Sequence, residues 1–151
     1  MKQRTLLIDD EPNIISALKR VLVPEFSERV DFYFTSDLAL ALTWIREIEF
    51  DVVISDYLMP DMSGLEFIQV ARTLQPEVVA MMLSASTEFE VMRTAVNELN
   101  VFKYLSKPWV AEELCRDISA ALEKSANDRY QKELASIGLM QFRPASAKYQ
   151  N

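Results

Sequence analysis

Five short apolar runs, each followed by a longer stretch of helical spacing, set the strongest limit on what this chain can become. The runs are Thr5–Ile8, Val30–Phe34, Val52–Ser55, Val78–Leu83 and Phe102–Leu105. Parallel strands need crossover connections, and helices supply them, so this alternation predicts an α/β fold with a parallel sheet wrapped by helices. Helical spacing is clear in Asn13–Val23, where Ile14, Ile15, Leu18, Val21 and Leu22 share a face and Pro12 suits the first turn. Ser36 is placed to cap a second helix carrying Leu38, Leu42 and Ile45, and Leu65–Leu74 gives a third. Thr87 and Glu90 form a capping-box pattern for a fourth, ending near Asn97. A fifth carries Leu114, Ile118, Ala121 and Leu122 towards Glu123. With glycine only at 64 and 138, Asn100 is the residue expected to take a left-handed conformation before the last strand.

The polar residues that close these runs carry the chemistry. Asp9-Asp10-Glu11 follow the first, Asp56 the third, Ser84 the fourth and Lys107-Pro108 the fifth. In a parallel sheet the carboxyl ends of the strands share one edge, where ligands bind. Each residue alone has an ordinary reading: a solvated turn, a loop carboxylate, a helix-flanking hydroxyl, a surface lysine. Four different strands ending this way in order is much harder to obtain by chance. Three carboxylates and one ammonium at one edge make a pocket of excess negative charge that a divalent cation would relieve. Hard cations such as Mg²⁺ take carboxylate and carbonyl oxygens, and a carboxylate beside such an ion is a competent nucleophile towards phosphorus.

Bulk properties narrow the field. At 151 residues and 50% apolar content the chain reads as one domain, long enough to bury roughly 68–70% of its unfolded surface. The formal charge of −7 lacks the basic footprint of a duplex binder, so direct nucleic-acid binding is not expected. One cysteine, Cys115, permits no internal disulfide and reads as a small half-buried apolar side chain. No apolar run approaches a membrane span, and the expectation is a cytoplasmic protein. The absence of histidine removes imidazole catalysis and imidazole metal ligands. Trp44, Trp109, Met81, Met82 and Met92 read as packing residues, with partner contact a close second for Trp109.

Taken together, Leu6-Leu7-Ile8-Asp9-Asp10-Glu11, the stretch Asp51 to Gly64 (DVVISDYLMPDMSG), Leu83-Ser84-Ala85 and Tyr104-Leu105-Ser106-Lys107-Pro108 resemble a two-component response-regulator receiver domain. The resemblance covers about residues 3–124. It implies a doubly wound, flavodoxin-like sheet of five parallel strands in the order 2-1-3-4-5 with five flanking helices, the order being carried over from that family. It implies that Asp56 is the phosphoacceptor, that Asp9, Asp10, Asp56 and the carbonyl of Leu58 hold Mg²⁺, and that Lys107 contacts the phosphoryl group. Ser84 and Tyr104 take the switch positions, and Pro108 implies a cis peptide after Lys107. The implied partners are a sensor histidine kinase or phosphotransfer protein, a downstream output domain or protein, and a second copy through the face of the fourth helix, fifth strand and fifth helix. Such a domain catalyses only its own phosphorylation and dephosphorylation.

Two departures refine the resemblance. The stretch Asn97–Lys103 lacks the Gly-Ala common before the last strand, and with Lys107-Pro108-Trp109 it looks more like receivers joined to phosphodiesterase, cyclase or ATPase outputs. Leu58 is apolar where some relatives place a polar side chain that assists water, which implies an acyl phosphate that is not extremely short-lived. Leu58 also stands where a dehalogenase-type phosphatase needs its second carboxylate, which argues against that class. A docking module independent of phosphate, and the receiver fragment of a longer protein with an enzymatic output, are the remaining alternatives. The division expected is a receiver over 1–124 and, over 125–151, a helical extension with a frayed tail. The stripe Ala126, Tyr130, Leu134 and Ile137 is expected to be a solvated helix end, with a coiled coil or linker helix as the alternative.

Overall fold

The computed structural model describes residues 2–85, 93, 97 and 99–138. Five strands form one sheet in the order β2-β1-β3-β4-β5, every neighbouring pair parallel. They are β1 (Gln3–Ile8), β2 (Val30–Thr35), β3 (Val52–Asp56), β4 (Val79–Ala85) and β5 (Lys103–Lys107). Among the described residues four helices flank it: α1 (Pro12–Phe26), α2 (Leu38–Glu47), α3 (Gly64–Leu74) and α4 (Ala111–Ser136). Of the helix expected between Thr87 and Asn97 only Arg93 and Asn97 are described, both helical, while its other residues from 87 to 96, Met92 among them, and the tail from 139 lie outside the described residues.

Alternation along the strands divides the core into two layers. Leu7, Val52, Ile54, Met81, Leu83 and Leu105 face α1 and α4, whose Leu18, Leu22, Leu114 and Ile118 are buried against them. Leu6, Ile8 and Val53 face α2 and α3 through Ala41, Ile45, Phe67 and Ala71. With both faces covered, all five residues of β3 are buried. That is why its sequence is an apolar run closing on two polar residues, Ser55 and Asp56, rather than an alternating one.

Several expected boundaries shift, each for a local reason. The cap of α2 is Asp37, not Ser36: its carboxylate accepts from the amides of Ala39 and Leu40, while Ser36 lies outside the turn. Helix α1 runs past Pro24 to Phe26 because Phe26 is buried and the amide of Ser27 still reaches Val23 O at 3.0 Å. The Ser63/Glu66 capping box starts α3 one residue earlier than the periodicity suggested. Asn100 has φ 54° as expected, and the Lys107–Pro108 peptide is cis.

Helix α4 continues without a break to Ser136. Its inward line past Leu122 is polar: Ser125 is buried, and Arg129 reaches Glu49 Oε2 at 2.9 Å, Asp51 Oδ1 at 2.8 Å and Phe50 O at 3.1 Å. Lys132 pairs with Glu77 at 3.0 Å. Tyr130 and Ile137 are 58% and 63% exposed, so their stripe faces solvent.

Candidate functional site

Parallel register delivers the site. Ile8 pairs with Ser55, which sets Asp9 beside Asp56 one step on. Asp56 pairs with Leu83, and Ala85 with Lys107, so the last residues of β3, β4 and β5 converge on the same edge. There Lys107 Nζ lies 2.7 Å from Asp9 Oδ2 and 2.9 Å from Asp56 Oδ1. One oxygen from each of Asp9, Asp10 and Asp56 falls within 4.8 Å of the others. Asp9 is 0% exposed and Asp56 5%. The other oxygen of Asp9 accepts the amide of Glu11 at 3.0 Å, which fixes the carboxylate across the turn out of β1.

Among the described residues, the electrostatics follow from one ammonium paired with two of three clustered carboxylates. Burial, together with the carboxylates of Asp9 and Asp10, pushes the Asp56 carboxyl up to about 6, against the lowering pull of the Lys107 hydrogen bond. Burial alone would lower Lys107, but its bonds to Asp9 and Asp56 outweigh that and raise it. Asp9 Oδ2 has the Lys107 ion pair yet no well-directed hydrogen bond among the described residues, although it is fully buried. One ammonium balances only part of the charge of three clustered carboxylates, and a further cation would balance the rest. The all-oxygen donor set therefore fits a hard divalent ion such as Mg²⁺.

The remaining sequence candidates stand around this cluster. Ser84 is buried at the end of β4, paired in register with Ser106, and its hydroxyl donates to Ala85 O at 3.0 Å. Tyr104 is half-buried on β5 opposite Met82 and packs with Leu65, Ile68, Ala80 and Val101. Leu58 lies in the loop two residues beyond Asp56, its side chain 57% exposed. Pro108 follows Lys107 through the cis peptide. The structure thus pairs Lys107 with Asp9 and Asp56, sets Asp10 beside these carboxylates, and leaves Ser84 and Tyr104 as neighbours on adjoining strands.

Two supporting residues escaped the sequence reading. A Cβ on Gly64 would lie 2.2 Å from Asp56 O, closer than any side chain tolerates, so α3 can start against the Asp56 peptide only with glycine there. The amide of Gly64 also donates to Tyr57 O at 2.9 Å, closing the loop. Ser55, fully buried, donates its hydroxyl to the same Asp56 carbonyl at 3.0 Å. The rarity of glycine in this chain was the available signal for Gly64. Ser55 offered none, since one hydroxyl in an apolar strand has no distinguishing pattern.

Comparisons with known proteins agree with this fold. A family model described as the response regulator receiver domain matches residues 5–136. The hydrogenase transcriptional regulatory protein HoxA of Cupriavidus necator is 36% identical over 123 residues, which is 81% of this chain but 25% of that protein. The chain thus spans about a quarter of the length of this curated relative. Among solved structures, adenylate cyclase from Rhodopirellula baltica superposes with a TM-score of 0.80 at 30% identity, covering 90% of this chain and 98% of that one. The signal receiver domain of an HD domain-containing protein from Pseudomonas fluorescens Pf-5 gives 0.76 at 28% identity, covering 84% and 99%.

Proposed function

The chain belongs to the response-regulator receiver family, and on that premise we propose that Asp56 is its phosphoacceptor and Lys107 the residue that reads the phosphoryl group. The observation that carries this is the single ammonium bridging Asp9 and Asp56 at 2.7 and 2.9 Å among three clustered carboxylates. Lys107 holds one oxygen of Asp56, and the other attacks phosphorus. The P–N bond of a donor phosphohistidine breaks, its electron pair returns to the imidazole nitrogen, and an acyl phosphate forms on Asp56. Asp9, Asp10, Asp56 and the Leu58 carbonyl would hold Mg²⁺, which supplies charge neutralisation for the phosphoryl oxygens. Lys107 then exchanges its carboxylate partner for a phosphoryl oxygen, and Ser84 donates to another.

The new group brings about −1.5 to −2 charges and strong acceptors to a buried edge. Movement of Ser84 towards it vacates space beside β5, into which Tyr104 turns, and the surface around β5 and α4 changes shape. The donor is a sensor histidine kinase or phosphotransfer protein, and the recipient of the signal is an output domain or separate effector that reads this surface, in the cytoplasm. Likeness to chains named for a cyclase and an HD-domain protein supports an enzymatic output, while HoxA is named a transcriptional regulator. The receiver proper ends near residue 124, and the clamped second half of α4 is the route by which the chain leaves it.

Intact-protein mass after incubation with a small acyl-phosphate donor, with and without Mg²⁺, tests the assignment. A Mg²⁺-dependent gain of one phosphoryl group, absent in Asp56→Asn, is expected. A gain that persists in Asp56→Asn would remove Asp56 from the role. No gain in folded wild type that binds Mg²⁺ would favour a docking module working without phosphate.

A further inference from the structure

Helix α3 touches both parts that must stay aligned for phosphoryl transfer. At its first residue Gly64 lies against the carbonyl of Asp56. In its last turn, eight residues and roughly 12 Å further along the axis, Arg72 spreads its guanidinium over the chain that leads into β5. Its two terminal nitrogens donate to the main-chain carbonyls of Leu99 and Asn100, the second at 2.7 Å. Leu99 is helical and Asn100 left-handed, so these carbonyls belong to a helix end, where acceptors lose their partners within the chain. Three residues later β5 begins, and it carries both Tyr104 and Lys107. Between the two ends of α3, Leu65 and Ile68 pack in the same apolar cluster as Val101 and Tyr104.

We propose that Arg72 is a positioning residue for the phosphoryl site: by pinning the start of β5 to α3, it sets where Tyr104 and Lys107 stand relative to Asp56. The inference rests on Asp56 being the phosphoacceptor and adds a residue from the opposite end of α3. A planar fork with several donors can hold two adjacent carbonyls at once, whereas an ammonium is a point donor with no fixed fork. Arg72→Lys should therefore retain part of the effect and Arg72→Ala none.

The experiment uses the full chain labelled with fluorotyrosine, the Tyr104 resonance being identified by its loss in Tyr104→Phe. Two quantities are read on wild type, Arg72→Lys and Arg72→Ala: the Tyr104 fluorine resonance before and after phosphorylation, and phosphoryl uptake by intact mass at saturating Mg²⁺. We expect Arg72→Ala to bind Mg²⁺ with unchanged affinity and still take one phosphoryl group. Its uptake should be slower by roughly tenfold, the scale of effect that small misplacements have on rate. Its Tyr104 resonance should be displaced or broadened already before phosphorylation, with Arg72→Lys intermediate in both. Wild-type uptake and a wild-type Tyr104 resonance in Arg72→Ala would overturn the proposal. If Arg72→Ala does not fold, Arg72→Lys decides it, wild-type behaviour again being the overturning result. Failure of the phosphoacceptor reading looks different: wild type itself takes no phosphate, while the unphosphorylated Tyr104 resonance still reports whether Arg72 positions β5.

Discussion

Strand β3 carries an aspartate at each end, and the two have opposite surroundings. Asp51, just before the strand, has a partner for each carboxylate oxygen: it accepts the Arg4 amide at 2.8 Å and the Ser125 hydroxyl at 3.4 Å, and it forms an ion pair with Arg129 Nε at 2.8 Å. Its backbone joins in, with its amide to Arg4 O at 2.8 Å and its carbonyl to the Val79 amide at 3.0 Å. Asp56, five residues on, is more deeply buried, shares one lysine with Asp9, and is pushed up to about 6 by that burial and by its acidic neighbours. The same residue type on the same strand therefore serves as a closed structural tie at one end and as an unbalanced, reactive group at the other. What separates them is the ratio of donors to carboxylates, not burial alone.

The sharpest way to break the comparison is to neutralise each aspartate in turn. Asp56→Asn should abolish phosphoryl uptake, because an amide lacks the nucleophilic oxygen pair. Asp51→Asn should leave uptake within about twofold of wild type and lower stability instead, by about 1–3 kcal/mol for a broken, partly buried network. Loss of uptake in Asp51→Asn protein that is folded would mean the two ends are not separable. Next in size is Gly64→Ala, which forces a methyl group into the Asp56 carbonyl. We expect uptake to fall by roughly tenfold or more and stability by about 1–3 kcal/mol, the usual cost of overpacking. Chemical denaturation with parallel mass measurement reads both, and an unperturbed Gly64→Ala would show that α3 can shift without disturbing Asp56.

The two ends also differed in how far they could be read from sequence. The reactive end was legible because its residues sit next to strand ends, and strands are the plainest pattern in the chain: Asp9, Asp10, Asp56 and Lys107 needed only the parallel register to meet. The clamped end was not, because Arg129 approaches Glu49 and Asp51 from about 80 residues away along a helix whose second half has no buried apolar stripe. Periodicity there marks Tyr130 and Ile137 as a solvated stripe, as the structure has them, but carries no sign of Ser125 and Arg129, which face inward. Ser63 at the start of α3 and Asp37 at the start of α2 show the same limit on a smaller scale. Several hydroxyl and carboxylate residues near each boundary can cap, and only the turn geometry chooses among them.

Arg129→Ala sharpens the structural half of the contrast. It removes the bonds to Glu49, Asp51 and Phe50 O together. A loss of about 1–2 kcal/mol is expected, since the arginine is itself a third exposed and part of its attraction is screened. Hydrogen exchange should quicken in residues 125–136 and stay unchanged at β1 and β3, with uptake at Asp56 intact. Uniform loss of protection across the sheet would instead make the second half of α4 part of the core.

The smallest expected effect concerns pH, and its sign is opposite to that of an ordinary ion-paired carboxylate. Because the folded-state value of Asp56 is raised to about 6 from 3.8, the native protein holds that proton more tightly than the unfolded chain does. Stability in the absence of metal therefore falls as pH rises from about 4 through 6, and the deficit is constant above that. The shift corresponds to about 3 kcal/mol at most. Asp56→Asn escapes the deficit but also loses the charge-assisted bond to Lys107, so a net advantage of about 1–2 kcal/mol over wild type is expected at pH 7.5. Thermal melts in a chelator from pH 4.5 to 7.5 should show that gap closing as pH falls, and Mg²⁺ at pH 7.5 should raise the wild-type midpoint more than that of Asp56→Asn. A gap that widens towards acid would mean that Lys107 already neutralises Asp56 as fully as Arg129 does Asp51, and the asymmetry between the two ends of β3 would then lie in access to solvent and not in charge.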